Sequence, residues 1–208
     1  SEQKTMSPRN QNAIAYGNGV LVAAGSDGLQ YSEDGGNTWV NSNSPTGGFN
    51  DVIFAGGQFV AIGYINNCYT SDDGKSWESK SIPQPDSSVS YNSLAYGNGL
   101  YIAIPGGYNT SAQSSYATSP DGISWTKRYL PSSKAWSVVE YGGNRFVVLD
   151  SGSTAAYSSD GINWAQVTMP VSKPWFDIAH GAGTFVAVAA GPGRPSTDVY
   201  LTSPDGIT

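Results

Sequence analysis

Apolar and polar positions along this chain repeat in a fixed order. A short apolar run, a Gly/Asn pair and a second, continuous apolar run recur at Ile14–Ala23, Val52–Ala61, Leu94–Ala103, Val139–Val148 and Ile178–Ala187. The period is that of two strands joined by a tight turn, and the unbroken Val, Ile and Phe of the second run predict a strand covered on both faces. A third strand-like run follows each pair and leads into a polar turn, and a fourth follows that turn. Anchored on the aromatic before each Gly/Asn pair, at Tyr16, Phe54, Tyr96, Tyr141 and His180, the spacings are 38, 42, 45 and 39 residues. Four antiparallel strands repeated at that period predict the blades of a β-propeller.

The polar turns are themselves a repeat. Ser32-Glu33-Asp34-Gly35-Gly36-Asn37-Thr38-Trp39 returns one residue shorter as Ser71–Trp77, Ser119–Trp125 and Ser158–Trp164, and again as Ser203-Pro204-Asp205-Gly206-Ile207-Thr208. Asp-Gly between strands favours a tight turn, because Gly accepts φ > 0 and the Asp carboxylate can accept bonds from turn amides. The Trp is expected to cover the turn and pack on the neighbouring strand. The motif resembles the Asp-box of sialidase-like (BNR) propellers, as found in phage tail and bacterial surface proteins. That resemblance implies a structural role for the turns themselves, on the rim away from the binding face.

Closure is expected from the ends of the repeat. Glu2-Gln3-Lys4-Thr5-Met6 matches Ala165-Gln166-Val167-Thr168-Met169, the fourth strand of the preceding repeat. The reading is an all-β, five-bladed propeller over residues 1–208 as one domain. In it, residues 1–7 supply the last strand of the fifth blade beside residues 175–208 and so remove an open edge. Longer connections at 105–115 and 190–198 mark blades three and five as places where function can concentrate.

With 26 Gly, 12 Pro and only 12% charged residues, the composition suits short strands and tight turns. A net charge of −6 with ten scattered Lys and Arg argues against a nucleic-acid partner. No run of 18 apolar residues is present, so no membrane insertion is expected. The single Cys68 falls in a strand column with Leu29, Tyr116, Ala155 and Tyr200 and reads as a buried small hydrophobe.

Candidate chemistry gathers at the start of each first strand. Gln11, Phe49, Tyr91, Trp136 and Trp175 form one column, followed by Asn12, Asn50, Asn92, Ser137 and Phe176, and then Ala13, Asp51, Ser93, Val138 and Asp177. An aromatic plate beside amides and carboxylates is the pairing a sugar ring needs, and the same aromatics could instead wedge blades apart. The candidate ligand-binding residues are therefore Trp136, Trp175, Tyr91, Phe49, Asn50, Asn92, Asp51 and Asp177. Catalysis is not expected. Arg9, Arg128, Arg145 and Arg194 stand at unlike places in their repeats, whereas sialidases use three Arg on the substrate carboxylate. His180 replaces an aromatic in a packing column, and no His/Cys cluster suggests a metal. Asp51, Glu140 and Asp177 leave a two-carboxylate glycoside hydrolase as a lesser alternative.

The expected function is a non-enzymatic, lectin-like module without cofactor, binding cell-surface glycan or polysaccharide. It would belong to a larger or multimeric protein outside the cell or on a virion, with the five-bladed tachylectins as a parallel in blade number. The alternative is a scaffold or protein-interaction propeller.

Overall fold

A computed structural model of the chain describes residues 10–207 except 44–46, 65–67, 87–88, 107–111 and 190–198. It is a five-bladed β-propeller. Blade one holds β1 (Gln11–Gly17), β2 (Val20–Gly25), β3 (Gly28–Ser32) and β4 (Val40–Asn41). Blade two holds β5 (Phe49–Ala55), β6 (Gln58–Gly63), β7 (Cys68–Ser71) and β8 (Glu78–Lys80). Blade three holds β9 (Tyr91–Gly97), β10 (Leu100–Pro105), β11 (Gln113–Ser119) and β12 (Thr126–Lys134). Blade four holds β13 (Trp136–Gly142), β14 (Arg145–Asp150), β15 (Thr154–Ser158) and β16 (Ala165–Thr168). Blade five shows β17 (Trp175–Gly181), β18 (Thr184–Ala189) and β19 (Val199–Ser203). The expected closing strand within residues 1–7 lies outside the described residues, as do residues 190–198 and 107–111 of the two long connections.

The Gly/Asn pairs make the first hairpin of each blade. Asn18 at φ 49° and Gly19 at φ 80° give the two left-handed residues of a turn whose twist matches the flanking strands. The Ser-x-Asp-Gly turns sit at the opposite end of the blade from the start of its inner strand, since Leu21 pairs with both Tyr16 and Ser32. In blade three, Asp121 Oδ1 accepts the Ile123 and Ser124 amides at 2.9 and 2.7 Å and the Ser119 hydroxyl at 2.9 Å, while Trp125 Nε1 donates to the Gly122 carbonyl at 3.0 Å. These amide bonds hold the Asp121 carboxyl down at about 2.

Blades are joined by contacts that repeat from one junction to the next. At three junctions the aromatic anchor of a blade lies over the Gly that ends the inner strand of the blade before it, while blade two ends its inner strand in Ala55. A Cβ on Gly17 would stand 2.0 Å from Phe54 Cγ, one on Gly97 2.0 Å from Tyr141 Cγ, and one on Gly142 2.0 Å from His180 Cγ. The forward face of each β-hairpin is then sealed by the next blade and its turn. Gly74 packs on Val22, Gly122 on Val60, Gly161 on Ile102 and Gly206 on Val147. Those four aliphatic residues are buried, as are Leu29, Cys68, Tyr116 and Ala155 on the third strands of the same faces.

The junction between blade five and blade one departs from this rule. Val186, which aligns with Val22 and its counterparts, is 38% exposed, Val188 43% and Tyr200 68%. Tyr16 is 67% exposed, and a Cβ on Gly181, the residue it would cover, meets nothing within 4 Å. The expectation of a sealed ring thus meets a difference at this junction. Four junctions carry the aliphatic seal and three of them the aromatic one over glycine, and the fifth leaves both halves bare among the described residues.

Candidate functional site

The inner strands start around a central cavity of about 610 Å³ lined by residues of all five blades. At this end each inner strand carries a bulge: the pairing skips Asn12, Asn50, Asn92, Ser137 and Phe176, the second residue of each strand. A bulged residue is freed from the ladder and re-aimed, here toward the next blade. Asn12 Nδ2 donates to the Phe49 carbonyl at 2.8 Å, Asn50 Nδ2 to the Tyr91 carbonyl at 2.7 Å, and Asn92 Nδ2 to the Ser137 carbonyl at 3.0 Å. Ser137 Oγ lies 3.2 Å from the Trp175 carbonyl oxygen. The column is therefore a ring of clasps between blades. Phe176, which cannot donate, ends it.

The carboxylates do related work. Asp51 Oδ1 accepts the Val52 amide at 2.8 Å and Oδ2 the Leu94 amide of blade three at 2.7 Å. Burial pushes its carboxyl up to about 6 against those two bonds, with a smaller push from the charge of Asp177. Asp177 is exposed and accepts the Ile178 amide at 2.8 Å. Glu140, half-buried farther along β13, is pushed up to about 7, first by burial and then by the charges of Asp177 and Asp51, while the His180 backbone amide pulls it down. No Lys or Arg is among the cavity's lining residues. The lining is rich in acceptors and negative in charge.

The aromatic column proves to be core, which corrects its reading as a set of sugar plates. Phe49 and Trp136 are 0% exposed, and Tyr91 and Trp175 1%. Phe49 packs edge-on against Tyr69 with ring centroids 5.5 Å apart. Tyr91 donates its hydroxyl to the Pro83 carbonyl at 2.7 Å, Trp136 Nε1 to the Ser132 carbonyl at 3.1 Å and Trp175 Nε1 to the Gly152 carbonyl at 3.0 Å. Large rings with every polar atom satisfied inside the protein are wedges between blades, unable to present a face to a ligand. Asn50 and Asn92 line the cavity, and each commits one of its two amide N–H groups to a clasp. Asp51 lines it too, with both oxygens engaged. Of the expected set, Asp177 alone combines a place on the cavity wall with an exposed carboxylate.

Two aromatics not singled out from the sequence do face solvent at the cavity: Phe176, 66% exposed, and Tyr64, 49% exposed. Phe176 had a signal, since it is the one apolar member of the Asn/Ser column. Tyr64 had none, because it follows β6 at a place where no other repeat carries an aromatic. His180 packs as its column implies, 4.6 Å centroid to centroid from Phe185. Cys68 is buried and its thiol pushed up to about 12 by that burial, so it carries no reactive thiolate. Among the described residues no cluster of His, Cys, Asp and Glu could hold a metal ion, and no helix is long and apolar enough to cross a membrane.

No protein-family model matches the chain, and no curated protein matches its sequence. Similar folds are found among solved structures. YCF48 bound to D1 peptide superposes with a TM-score of 0.68 at 18% identity, over 99% of this chain and 67% of that one. The extracellular domain of a hybrid two-component system from B. thetaiotaomicron gives 0.69 at 12% identity, over 90% of this chain and 27% of that one. An ancestral GH74 enzyme gives 0.70 at 18% identity, over 96% and 30%. These likenesses show the propeller fold. The chain spans two thirds of the YCF48 chain and under a third of the other two.

Proposed function

We propose that the chain is a non-enzymatic recognition module that binds carbohydrate at the mouth of the central cavity. The observation that carries this reading is the pair Phe176 and Asp177: an exposed aromatic face beside an exposed carboxylate, on the wall of a polar cavity without Lys or Arg among its lining residues. A sugar stacks its C–H face on an aromatic ring and donates hydroxyls to carboxylate and amide oxygens, which is what this lining offers; an anionic ligand would be repelled. Tyr64 supplies a second exposed ring at the same opening. The commitment of Asp51 to two backbone amides that tie blade two to blade three supports binding rather than catalysis. The resemblance of the turns to Asp-box modules of phage tail and bacterial surface proteins supports an extracellular or virion-surface setting. Extracellular domains among the structures of similar fold are compatible with that setting.

A second reading, protein recognition, is favoured by the exposed Val186, Val188 and Tyr200 on one face of blade five. The two are separated by an array of glycans and bacterial-envelope polysaccharides probed with the protein displayed multivalently, so that weak single sites add. Specific binding lost in Phe176→Ala and Asp177→Asn, with melting unchanged, supports the glycan site. A blank array transfers the function to protein recognition.

A further inference from the structure

The bare faces on either side of the fifth junction are two halves of one contact. The forward face of blade five carries Val186 and Val188, whose counterparts are buried at the other four junctions, and Gly181, whose counterparts Gly17, Gly97 and Gly142 lie under the next blade's aromatic. The rear face of blade one carries Tyr16, the aromatic that elsewhere covers that glycine, and the Ser32–Trp39 turn, whose counterparts elsewhere cover that valine. A Cβ on Gly36 in this turn would meet only Leu21 and Trp39 of its own blade, whereas the matching Gly74, Gly122, Gly161 and Gly206 each meet an aliphatic side chain of the preceding blade.

A polar pair repeats the match. Asp51 links its own Val52 amide to the Leu94 amide of the following blade. Asp177 holds the same place in blade five and accepts its own Ile178 amide in the same way. The residue of blade one that aligns with Leu94 is Ile14, which is 60% exposed. Among the described residues, blade five thus presents a socket and blade one the matching plug, and the two do not meet.

We propose that the forward face of blade five docks the rear face of blade one of a second copy of this chain, in a head-to-tail contact. Tyr16 of one copy covers Gly181 of the other, and the Ser32–Trp39 turn seats on Val186 and Val188. The contact is heterologous, since plug and socket are different surfaces, so copies add in one direction. It buries Tyr16, Val186 and Val188, exposed apolar side chains of an unpartnered sheet face of the kind soluble monomers avoid.

Sedimentation velocity over a concentration series tests this with the 208-residue chain. The expected result is mass-action association, weakened at least tenfold in Tyr16→Ser, which spoils the plug, and in Val188→Glu, which spoils the socket. Both substitutions are at exposed positions, and unchanged melting of each variant confirms that it folds. An equimolar mixture of the two variants is expected to form a one-to-one dimer, because the intact socket of the first meets the intact plug of the second, while each variant alone associates at least tenfold more weakly than the wild type. A wild-type chain that stays monomeric at every concentration overturns the proposal and leaves blade one of the same molecule as the occupant. Undiminished association of both variants, or a mixture that forms no dimer, overturns the head-to-tail geometry.

Discussion

The ring of Tyr141 fills the space in which a side chain on Gly97 would stand, with Tyr141 Cγ only 2.0 Å from an ideal Cβ there. The Cγ is the rigid root of the ring, so an added methyl displaces the whole aromatic and with it the junction between blades three and four. Gly97→Ala is therefore expected to cost about 1–3 kcal/mol by overpacking. At the equivalent Gly181 a Cβ meets nothing within 4 Å. Gly181→Ala should leave the melting temperature of the monomer unchanged. Thermal melts of the two variants at low concentration decide the matter, and a large loss in Gly181→Ala would show that Tyr16 covers Gly181 within the molecule.

Trp136 and Trp175 answer to packing. Each is at most 1% exposed and donates its indole N–H to a backbone carbonyl. Truncating either to Ala leaves a large cavity and an unpaired carbonyl, and about 3–5 kcal/mol is expected to be lost. Denaturant melts of Trp136→Ala and Trp175→Ala should show an early midpoint or no folded baseline. If either variant melted like the wild type, the wedge role would be wrong.

That contrast marks how much could be read from the chain. The repeat of apolar runs and turns made the blades legible, because strand period and turn chemistry are local properties of sequence. The hairpin at Asn18-Gly19 and the carboxylate-capped turns at Asp121 and its counterparts follow from the same local rules. The site was less legible. An aromatic at the start of each inner strand has the same pattern whether its ring points into the cavity or between blades. The bulge at the second residue decides the matter, and it turns Asn50 and Asn92 into clasps and leaves Phe176 outside. Nor could the repeat show that Tyr16 and Gly181 stay apart, since like sequences predict like contacts and only geometry shows where one is missing.

The Ser-x-Asp-Gly turns are expected to contribute to stability through their buried serines. Ser158 is 2% exposed; its hydroxyl accepts the Gly161 amide at 2.9 Å and donates to Asp160 Oδ1 at 2.9 Å. Ser158→Ala strands a buried amide, at a cost of about 1–3 kcal/mol. Calorimetry should show a drop of roughly 2–12 °C for a chain of this length. Ser159→Ala, one residue on and exposed, is the control that should not move the transition.

The pH dependence should reveal the carboxylates of the inner strands. Asp34 and Asp121 in the turns are held at about 2, below their ordinary 3.8, chiefly by backbone amides of Thr38 and Ser124. An acid lowered on folding stabilises above its unfolded value, and that contribution is lost as pH falls from about 4 toward 2. Asp51 and Glu140 act in the opposite sense. Raised to about 6 and about 7 by burial, they bind protons more tightly folded than unfolded. Stability is then full below their ordinary values of 3.8 and 4.5 and falls as pH rises through 6 and 7. The two windows leave a maximum in melting temperature between them, near pH 4–5 by this linkage, with a decline toward pH 8. Glu140→Gln keeps an acceptor for the His180 amide and removes the charge. It should match the wild type at pH 4 and melt about 2–4 °C higher at pH 8, the shift expected for roughly 1 kcal/mol in a chain of this size. Melting curves of the two proteins that run parallel from pH 4 to 8 would show that Glu140 is not held in the environment described for it.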